Sequence, residues 1–321
     1  MSEPIVSVII PTYNRAALLP QALESALAQT FKATEIIVIN DGSVDETATV
    51  LDMQYAGRVR VITQSNQGIA AARNAGIRAA GGRYIAFLDS DDRWLPEKLA
   101  KQVSYLEAHP AVGLLATHLW ECEVGSEQTR IVSPPAFPRG FHDLLRGPNF
   151  VQTSTVMVRR ECLELVGLFD PELPTLEDWE LWLRIARRFA IACLPDVLCE
   201  HRYHPHNTTK DMAAVYHGLW QFYAKIDQLY WEDVTNWREW RTRANAYRYL
   251  LGTTLLKRGQ MRQAFGHIAG ALSASRSVGA YFAKTRSRLI RAGYLLKPYA
   301  ALLIGLCGTI GSAVLPGHRL R

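Results

Sequence analysis

Val6-Ser7-Val8-Ile9-Ile10-Pro11-Thr12-Tyr13-Asn14 opens the chain with a pattern that recurs through its first half: a short apolar run, rich in β-branched residues, that ends in polar ones. Such runs are typical of buried β-strands. Four of them alternate with segments of helical pattern, which predicts strands over 5–10, 35–39, 58–62 and 84–88 and helices near 16–29, 45–56, 68–80 and 96–108. The alternation favours an α/β fold with a mostly parallel sheet covered by helices on both faces.

Polar residues follow three of the predicted strands, at 11–14, 40–43 and 89–92. The carboxyl ends of parallel strands meet at one edge of a sheet, and ligands of such sheets bind beyond that edge. We therefore expect these three segments to line a common binding site.

The segment Asp89-Ser90-Asp91 places two carboxylates just beyond a buried apolar strand. A carboxylate in that position has to be solvated, paired or bound to a cation. Two Asp side chains two residues apart can converge on one Mg²⁺ or Mn²⁺ ion that keeps open positions for diphosphate oxygens. The alternative is an Asx-type turn that also caps the helix near Pro96.

Two further segments have both a structural and a ligand-binding interpretation. Asp41, in the turn over 41–45, could accept a hydrogen bond from a nucleobase imide or could serve only the turn. Arg73 lies in the segment 68–76, whose small residues allow a helix to approach the sheet or a ligand closely. Its guanidinium suits diphosphate oxygens. The alternative is a surface arginine on a well-packed helix.

Clusters of acidic and basic residues mark the second half of this region. Glu177-Asp178-Trp179-Glu180 begins a predicted helix with three carboxylates, which would stabilise the helix dipole. Repulsion between them and partial burial beside tryptophan would also raise their proton affinity, and that suits a general base. Arg202, His204 and His206 form a candidate contact with diphosphate or metal.

Together these motifs resemble those of family-two glycosyltransferases with the GT-A fold, in order and spacing as well as in composition. The resemblance covers about residues 1–210, and it is carried by 6–14, Asp41-Gly42-Ser43, Arg73-Asn74-Ala75-Gly76, the 89–92 run and Glu177-Asp178-Trp179. It implies an α/β fold class of GT-A type, in which a nucleotide-binding sheet is flanked by helices. A C-terminal all-helical extension follows.

The resemblance also implies roles for individual residues. Asp178 matches the general base, Asp91 is the expected metal ligand, and His204 matches a position that helps to bind metal or diphosphate in some members. The expected donor-binding residues are Pro11, Thr12, Tyr13, Asp41, Arg73, Asp89 and Arg202. The expected cofactor is Mn²⁺ or Mg²⁺.

The expected function is inverting, metal-dependent transfer of a sugar from a nucleoside-diphosphate sugar to a hydroxyl of a saccharide or lipid-linked acceptor. The alternative, a catalytically inactive scaffold or sugar-binding subunit, predicts loss of the metal or base carboxylates, and both are present. A nucleotidyltransferase would need a Gly-rich basic loop after the first strand, and a Rossmann dehydrogenase would need GxGxxG there. The chain has Pro11-Thr12-Tyr13-Asn14 instead.

The rest of the chain is predicted more coarsely. The expected elements are an irregular connection over 120–150, a strand over 151–158, a helix over 177–189, an all-helical region from 211 and a helical hairpin over 245–275 that turns at Gly259. The predicted domains are a catalytic domain at 1–210, a helical extension at 211–277 and a membrane-associating tail at 278–321.

The net charge of +6 is unevenly distributed. Residues 241–321 carry fourteen Lys and Arg and no Asp or Glu, whereas 1–240 carry 22 basic and 30 acidic residues. Within the tail, 278–296 has the pattern of a basic amphipathic helix, and 299–315 is uncharged and mostly apolar. We expect an anionic membrane surface as its partner, not nucleic acid, and a peripheral location on the cytoplasmic face.

The tail has several possible arrangements. The apolar run could insert shallowly, form a re-entrant hairpin or cross the bilayer, for which seventeen residues are the lower limit. Alternatively, its helices could pack on the catalytic domain or on a second subunit.

Overall fold

The computed structural model describes residues 3–123, 129–132, 140–146, 151–204, 211–230 and 237–274. These residues form two compact units, one up to Lys210 and one from Asp211 onwards. The functions attached to 1–210, 211–277 and 278–321 stay predictions, and all of 278–321 lies outside the described residues.

The four strands predicted in the first half are confirmed, and they pair in parallel in the order β3-β2-β1-β4. Their bounds are β1 Val6–Thr12, β2 Thr34–Asp41, β3 Arg60–Gln64 and β4 Tyr84–Phe87, and the helices that follow them are α1 Leu19–Leu27, α2 Thr47–Tyr55, α3 Ile69–Ala79 and α4 Lys98–Ala108. Every residue of β1 is buried. Burial on both faces explains why β1 is apolar at consecutive positions.

Further strands extend the sheet, so that the described residues give the order β3-β2-β1-β4-β8-β6-β9-β5, with β7 beside β6. They are β5 Arg93–Trp94, β6 Val112–Glu123, β7 Thr129–Val132, β8 Met157–Arg159 and β9 Ala190–Tyr203. β8 is antiparallel to both β4 and β6, whereas β6 and β9 run parallel. The predicted fold class, a sheet flanked by helices with a helical C-terminal region, is confirmed.

Two predictions for the middle of the chain are wrong in part. The stretch 120–150 contains the end of β6, the strand β7 that pairs with it, and helix α5 Phe141–Arg146. The predicted strand over 151–158 is a 3₁₀ helix at Thr153–Thr155 followed by the short β8. Its β-branched residues favoured a strand, but the hydroxyls of Thr153 and Ser154 bond to carboxylates from distant segments instead.

The small residues of α3 allow it to lie against the sheet, as predicted. A Cβ atom on Gly76 would lie 2.5 Å from Cγ2 of Ile9, a distance that real Cβ contacts do not show. Asn74 joins α3 to the chain after α6 Arg160–Val166, because its side chain exchanges two hydrogen bonds with the backbone of Phe169.

Helix α4 buries a lysine. The side chain of Lys98 is fully buried, its Nζ donates to Oε1 of Gln102 at 2.8 Å, and it lies 4.1 Å from the ring centre of Trp94. Burial lowers the pKa of Lys98 to about 7, because the interior disfavours the ammonium form.

The predicted helix over 177–189 is confirmed as α7 Glu177–Ala186, three residues shorter at its end. Two tryptophans fix it in place: the indole nitrogen of Trp179 donates to the carbonyl of Leu144, and that of Trp182 to the carbonyl of Val151. Leu176, just before the helix, has a φ of 65°. This left-handed conformation is unusual for a bulky apolar residue.

The second unit is helical. Its described elements are α8 Met212–Tyr230, α9 Trp237–Lys257 and α10 Met261–Ala274. The predicted hairpin is confirmed, with Gly259 at its turn in the left-handed conformation that glycine adopts readily (φ 75°). None of the helices in the described part of the chain is long and apolar enough to cross a membrane.

Candidate active site

The ends of β1 and β2 lie side by side, since Thr12 pairs with Asn40 in the sheet. Pro11 and Thr12 are buried, whereas Tyr13, which directly follows β1 at this edge of the sheet, is 43% exposed. The Thr12 hydroxyl is buried and has no hydrogen-bond partner among the described residues. A buried hydroxyl without a partner in the protein is available to form a hydrogen bond with a bound ligand.

Asp41 ends β2 and is held by the loop after β3. Its Oδ1 accepts hydrogen bonds from Nε2 of Gln64 at 2.7 Å and from the backbone of Gln67 at 3.0 Å, and its Oδ2 accepts one from the backbone of Gly68 at 2.9 Å. The carboxylate therefore fixes the 64–68 segment beside the end of β2. The predicted contact with a nucleobase stays a prediction.

Asp91 lies in the loop that follows β4, where two basic side chains face it. Its Oδ2 is 2.9 Å from Nε2 of His204 and 3.8 Å from Nε of Arg15. Asp91 and His204, predicted from separate motifs to bind metal, are thus brought together by the end of β9. Arg15, just after β1, was not among the predicted residues.

The donor chemistry of this pair fits a hard or borderline divalent cation. A carboxylate oxygen and an imidazole nitrogen suit Mn²⁺, and the carboxylate suits Mg²⁺. Among the described residues, no group of three or more His, Cys, Asp or Glu side chains is arranged to hold a metal ion. An ion at Asp91 and His204 would therefore need further ligands, and such ions commonly take them from substrate phosphates and water.

Arg73 connects Asp89 with the start of α7. Its Nη2 donates to Asp89 at 2.7 Å and its Nη1 donates to Glu177 at 2.5 Å, while its side chain is only 4% exposed. Burial disfavours the charge, but the two carboxylates outweigh it and raise the pKa of Arg73. The alternative of a surface arginine is therefore wrong. The predicted contact of Arg73 with diphosphate stays a prediction, and its guanidinium already bonds to two carboxylates.

Asp178, the expected base, is half-buried at the first turn of α7. Its Oδ2 accepts a hydrogen bond from Thr153 at 3.1 Å, and its Oδ1 accepts one from the backbone of Trp179 at 2.6 Å. Burial raises the pKa of Asp178, against the opposing effects of Arg73 and these two hydrogen bonds. A carboxylate with raised proton affinity is suited to accept a proton in a reaction near neutral pH.

Arg202 lies on β9 beside the Asp91 loop. Its Nε donates to the carbonyl oxygen of Asp91, and its Nη1 donates to Oε1 of Gln21 at 2.5 Å. Its guanidinium is buried and supports the loop. These bonds give it a structural role and are no evidence for a contact with diphosphate. That role stays a prediction, and His206 lies outside the described residues.

Thr153, Ser154 and His201 were missed at the level of sequence. Asp92 and Glu177 were noted within acidic runs but were given no role of their own. Asp92 and Ser154 are bonded at 2.6 Å, and Nδ1 of His201 is 3.0 Å from Asp92. Burial opposes the charge on His201, but Asp92 outweighs it and raises the pKa of His201 to about 9. Two features of the sequence could have indicated these residues. They are the hydroxyl residues Thr153 and Ser154 inside a predicted strand, and Asp92 as the third carboxylate of the 89–92 run.

The fold defines a class of protein: it is of the GT-A type, a sheet flanked by helices in which several strand-end loops meet at one edge. Many solved structures are similar to this chain. Two of them are S. aureus TarS 1–349 in complex with UDP-GlcNAc (TM-score 0.59, 18% identity, covering 90% of this chain and 87% of that one) and a mannosyltransferase from Pyrobaculum calidifontis in complex with GDP-Man and Mn²⁺ (0.58, 22%, 98% and 87%). The chain spans 53% of a longer TarS chain.

Sequence comparison identifies the family. The model of glycosyl transferase family 2 matches residues 7–167. An uncharacterized glycosyltransferase of Rickettsia prowazekii is 32% identical over 238 residues, which cover 70% of this chain and 72% of that one. The amylovoran biosynthesis glycosyltransferase AmsE of Erwinia amylovora is 32% identical over 230 residues, or 70% and 84%. The chain belongs to glycosyl transferase family 2.

Proposed function

We propose that this protein transfers a sugar, with inversion, from a nucleoside-diphosphate sugar to an acceptor hydroxyl. The observation that carries the proposal is the position of Asp178. It lies at the same sheet edge as Asp91 and His204, and Arg73 joins the two sides through Asp89 and Glu177. A proton acceptor and a candidate cation site at one edge are what displacement of a diphosphate leaving group requires.

The proposed step is a single in-line displacement. Asp178 takes the proton of the acceptor hydroxyl as its oxygen forms a bond to the anomeric carbon. The bond from that carbon to the diphosphate oxygen breaks on the opposite face, and the nucleoside diphosphate leaves with the bonding pair. The raised pKa of Asp178 supports this role, as does Thr153, which holds one carboxylate oxygen in place.

Mn²⁺ or Mg²⁺ is the proposed cofactor, with Asp91 and His204 as its protein ligands. When bound, the cation supplies positive charge to the diphosphate oxygens as negative charge develops there. The buried hydroxyl of Thr12 and the exposed ring of Tyr13, with Pro11 and Asp41, are proposed to contact the nucleoside, and Asp89 its ribose. The similar mannosyltransferase is in complex with GDP-Man and Mn²⁺, which supports the classes of donor and cation proposed here.

The proposed setting is the assembly of a polysaccharide, glycolipid or glycan, with a saccharide or lipid-linked acceptor. The support is the relative from Erwinia amylovora, which is named for amylovoran biosynthesis.

The test is hydrolysis and transfer by the purified protein with a panel of UDP- and GDP-sugars, with Mn²⁺, with Mg²⁺ and with chelator. We expect slow, metal-dependent release of UDP or GDP from one donor and faster release when the right acceptor is added. A protein that binds donors and never releases the diphosphate with any acceptor would instead be the inactive scaffold. Product stereochemistry by NMR tests the inversion.

Membrane attachment is the second part of the proposal: residues from about 278 hold the protein on the cytoplasmic face of an anionic membrane. In the described residues, the helix before the tail supports this. Met261 and Phe265, four residues apart on α10, are 55% and 63% exposed, and Arg262 is exposed beside them. Exposed apolar residues with basic neighbours fit an anionic lipid surface.

Co-sedimentation with vesicles of phosphatidylglycerol and phosphatidylcholine tests the attachment. We expect the full chain to bind at low salt and less at high salt, and a chain that ends near Ser277 to bind weakly. Phe265→Glu should reduce binding, whereas Leu165→Glu, an exposed apolar site in the first unit, should not. Equal binding by the full and shortened chains would exclude the tail as the anchor.

A further inference from the structure

Asp92 is the centre of a buried hydrogen-bond network that the proposed displacement step does not use. It is 2% exposed. Its Oδ2 accepts a hydrogen bond from Oγ of Ser154 at 2.6 Å, and its Oδ1 accepts one from the backbone of Arg202 at 3.1 Å. The same Oδ1 is 3.0 Å from Nδ1 of His201. Groups from two distant segments thus converge on one carboxylate.

On one side, the network closes the loop over 89–92. Oγ of Ser154 accepts a hydrogen bond from the backbone of Asp89 at 3.1 Å and donates its own proton to Asp92. The 3₁₀ segment that carries Ser154 is itself fixed, because the indole of Trp94 donates to the Ser154 carbonyl at 2.7 Å. One hydroxyl therefore bonds to both the first and the last residue of the loop, and the backbone of Asp91 lies between them.

On the other side, the network reaches the end of β9. His201 and Arg202 contact Asp92, and His204, on the same segment, contacts Asp91 at 2.9 Å. The bonds to Asp92, with the bond from Nε of Arg202 to the Asp91 carbonyl, therefore join the end of β9 to the loop. Asp91 and His204 lie on the two segments that these bonds join.

We propose that Asp92 is a positioning residue that holds Asp91 opposite His204, so that a divalent cation and a nucleoside diphosphate bind there together. The inference rests on the proposed metal site. It assigns Asp92 no contact with cation or substrate, and it places Ser154 and His201 in the same unit. Residues that hydrogen-bond to metal ligands without contacting the metal orient those ligands, and their substitution commonly lowers metal affinity about tenfold to a hundredfold.

The experiment measures binding of Mn²⁺ by its EPR signal, and of UDP and GDP by calorimetry with and without Mn²⁺. We expect Asp92→Asn and Ser154→Ala to weaken Mn²⁺-dependent binding about tenfold to a hundredfold. Nucleotide affinity without Mn²⁺ should stay at the wild-type value. His201→Leu should weaken Mn²⁺-dependent binding, and His201→Asn, whose amide nitrogen can take the place of Nδ1, should restore it.

Asp196→Asn is the matched control. Asp196 is also on β9 and is paired, with Lys101 at 2.6 Å, but it lies away from the loop. Its substitution should leave Mn²⁺-dependent binding unchanged. If Asp92→Asn does not fold, Ser154→Ala and the two His201 variants carry the test.

Two results overturn the inference alone: folded Asp92 and Ser154 variants with wild-type Mn²⁺-dependent binding, or equal losses of nucleotide affinity with and without Mn²⁺. A wild-type protein that binds UDP or GDP with no effect of Mn²⁺, and shows no Mn²⁺ binding by EPR, overturns the proposed metal site and this inference with it.

Discussion

Asp41 and Asp91 are two carboxylates at the same edge of one sheet, and their partners differ in kind. Asp41 accepts hydrogen bonds from neutral groups, an amide side chain and two backbone amides of the 64–68 loop. Asp91 faces the guanidinium of Arg15 and the imidazole of His204. The first arrangement fixes a loop, and the second already favours a positive charge beside the carboxylate.

The difference shows that a carboxylate at the end of a strand has no function by position alone. A ligand does not displace backbone donors from Asp41, so this carboxylate contributes mainly to local structure. A nucleotide that binds there would meet a preformed surface. The cationic guanidinium of Arg15 can give way to a metal ion of the same sign, and the imidazole of His204 can bind that ion through a ring nitrogen. The comparison therefore predicts opposite consequences for stability and for metal-dependent binding at the two positions.

The largest effect is expected for Asp91→Ala. It removes the carboxylate that is proposed to hold the cation, so turnover should fall to background and the gain in UDP or GDP affinity on adding Mn²⁺ should vanish. Activity assays and calorimetry with and without chelator measure both. Diphosphate binding that responds to neither chelator nor this substitution would remove Asp91 from the metal site.

The next effect is expected for Asp178→Asn. The amide keeps the shape and can still accept from the backbone of Trp179, but it cannot take a proton, so kcat should fall about a hundredfold or more. Donor affinity should change little. Trp182→Ala, which disturbs the packing of the same helix, is the control. Parallel losses of donor affinity and kcat in Asp178→Asn would indicate a structural role.

A smaller effect is expected for Asp41→Asn. The amide cannot accept from both Gln67 and Gly68, so the free energy of unfolding should fall by about 1–3 kcal/mol. Nucleotide affinity should weaken equally with and without Mn²⁺, in contrast to Asp91→Ala. Urea unfolding and calorimetry measure these, with Asp52→Asn on the exposed face of α2 as control. A loss confined to Mn²⁺-dependent binding would erase the contrast between the two carboxylates.

The smallest effect is expected in the pH dependence of Arg73 variants. The positive charge of Arg73 lowers the pKa of Asp178, which burial raises. The base acts when it has lost its proton, so kcat rises with pH through this pKa. Arg73→Gln removes the charge and should move that rise to higher pH, whereas Arg73→Lys should leave it nearer the wild-type position. Identical profiles for the two variants would show that the charge has no influence on the base.

The same contrast separates what the sequence could predict from what it could not. The ends of β1, β2 and β4 were predictable, because each is a local pattern of apolar run and polar turn. Asp91 and His204 were each predicted as metal candidates from separate motifs. They are 113 positions apart in sequence, and the fold brings them together. Arg73 and Glu177 are 104 positions apart, so their bond had no local signal.

Strand β9 shows a physical reason for a missed element. Its sequence is interrupted by Pro195 and Asp196, which disfavour a strand. The structure accommodates them at an irregularity, since Leu194 pairs with Thr117 and Val197 with the next residue, His118. A proline at a break in the ladder loses no strand hydrogen bond. Because β9 carries His201, Arg202 and His204, this omission also hid the support of the Asp91 loop.

The buried lysine of α4 has a consequence for proton uptake on unfolding. Between pH 7, near the pKa of Lys98 in the folded chain, and the ordinary value of 10.5, the unfolded chain binds a proton that the folded chain lacks. Unfolding therefore takes up a proton at this side chain, and alkaline solution favours the folded state across that interval. Urea unfolding at both ends of the interval should show a steeper rise of stability with pH in the wild type than in Lys98→Met.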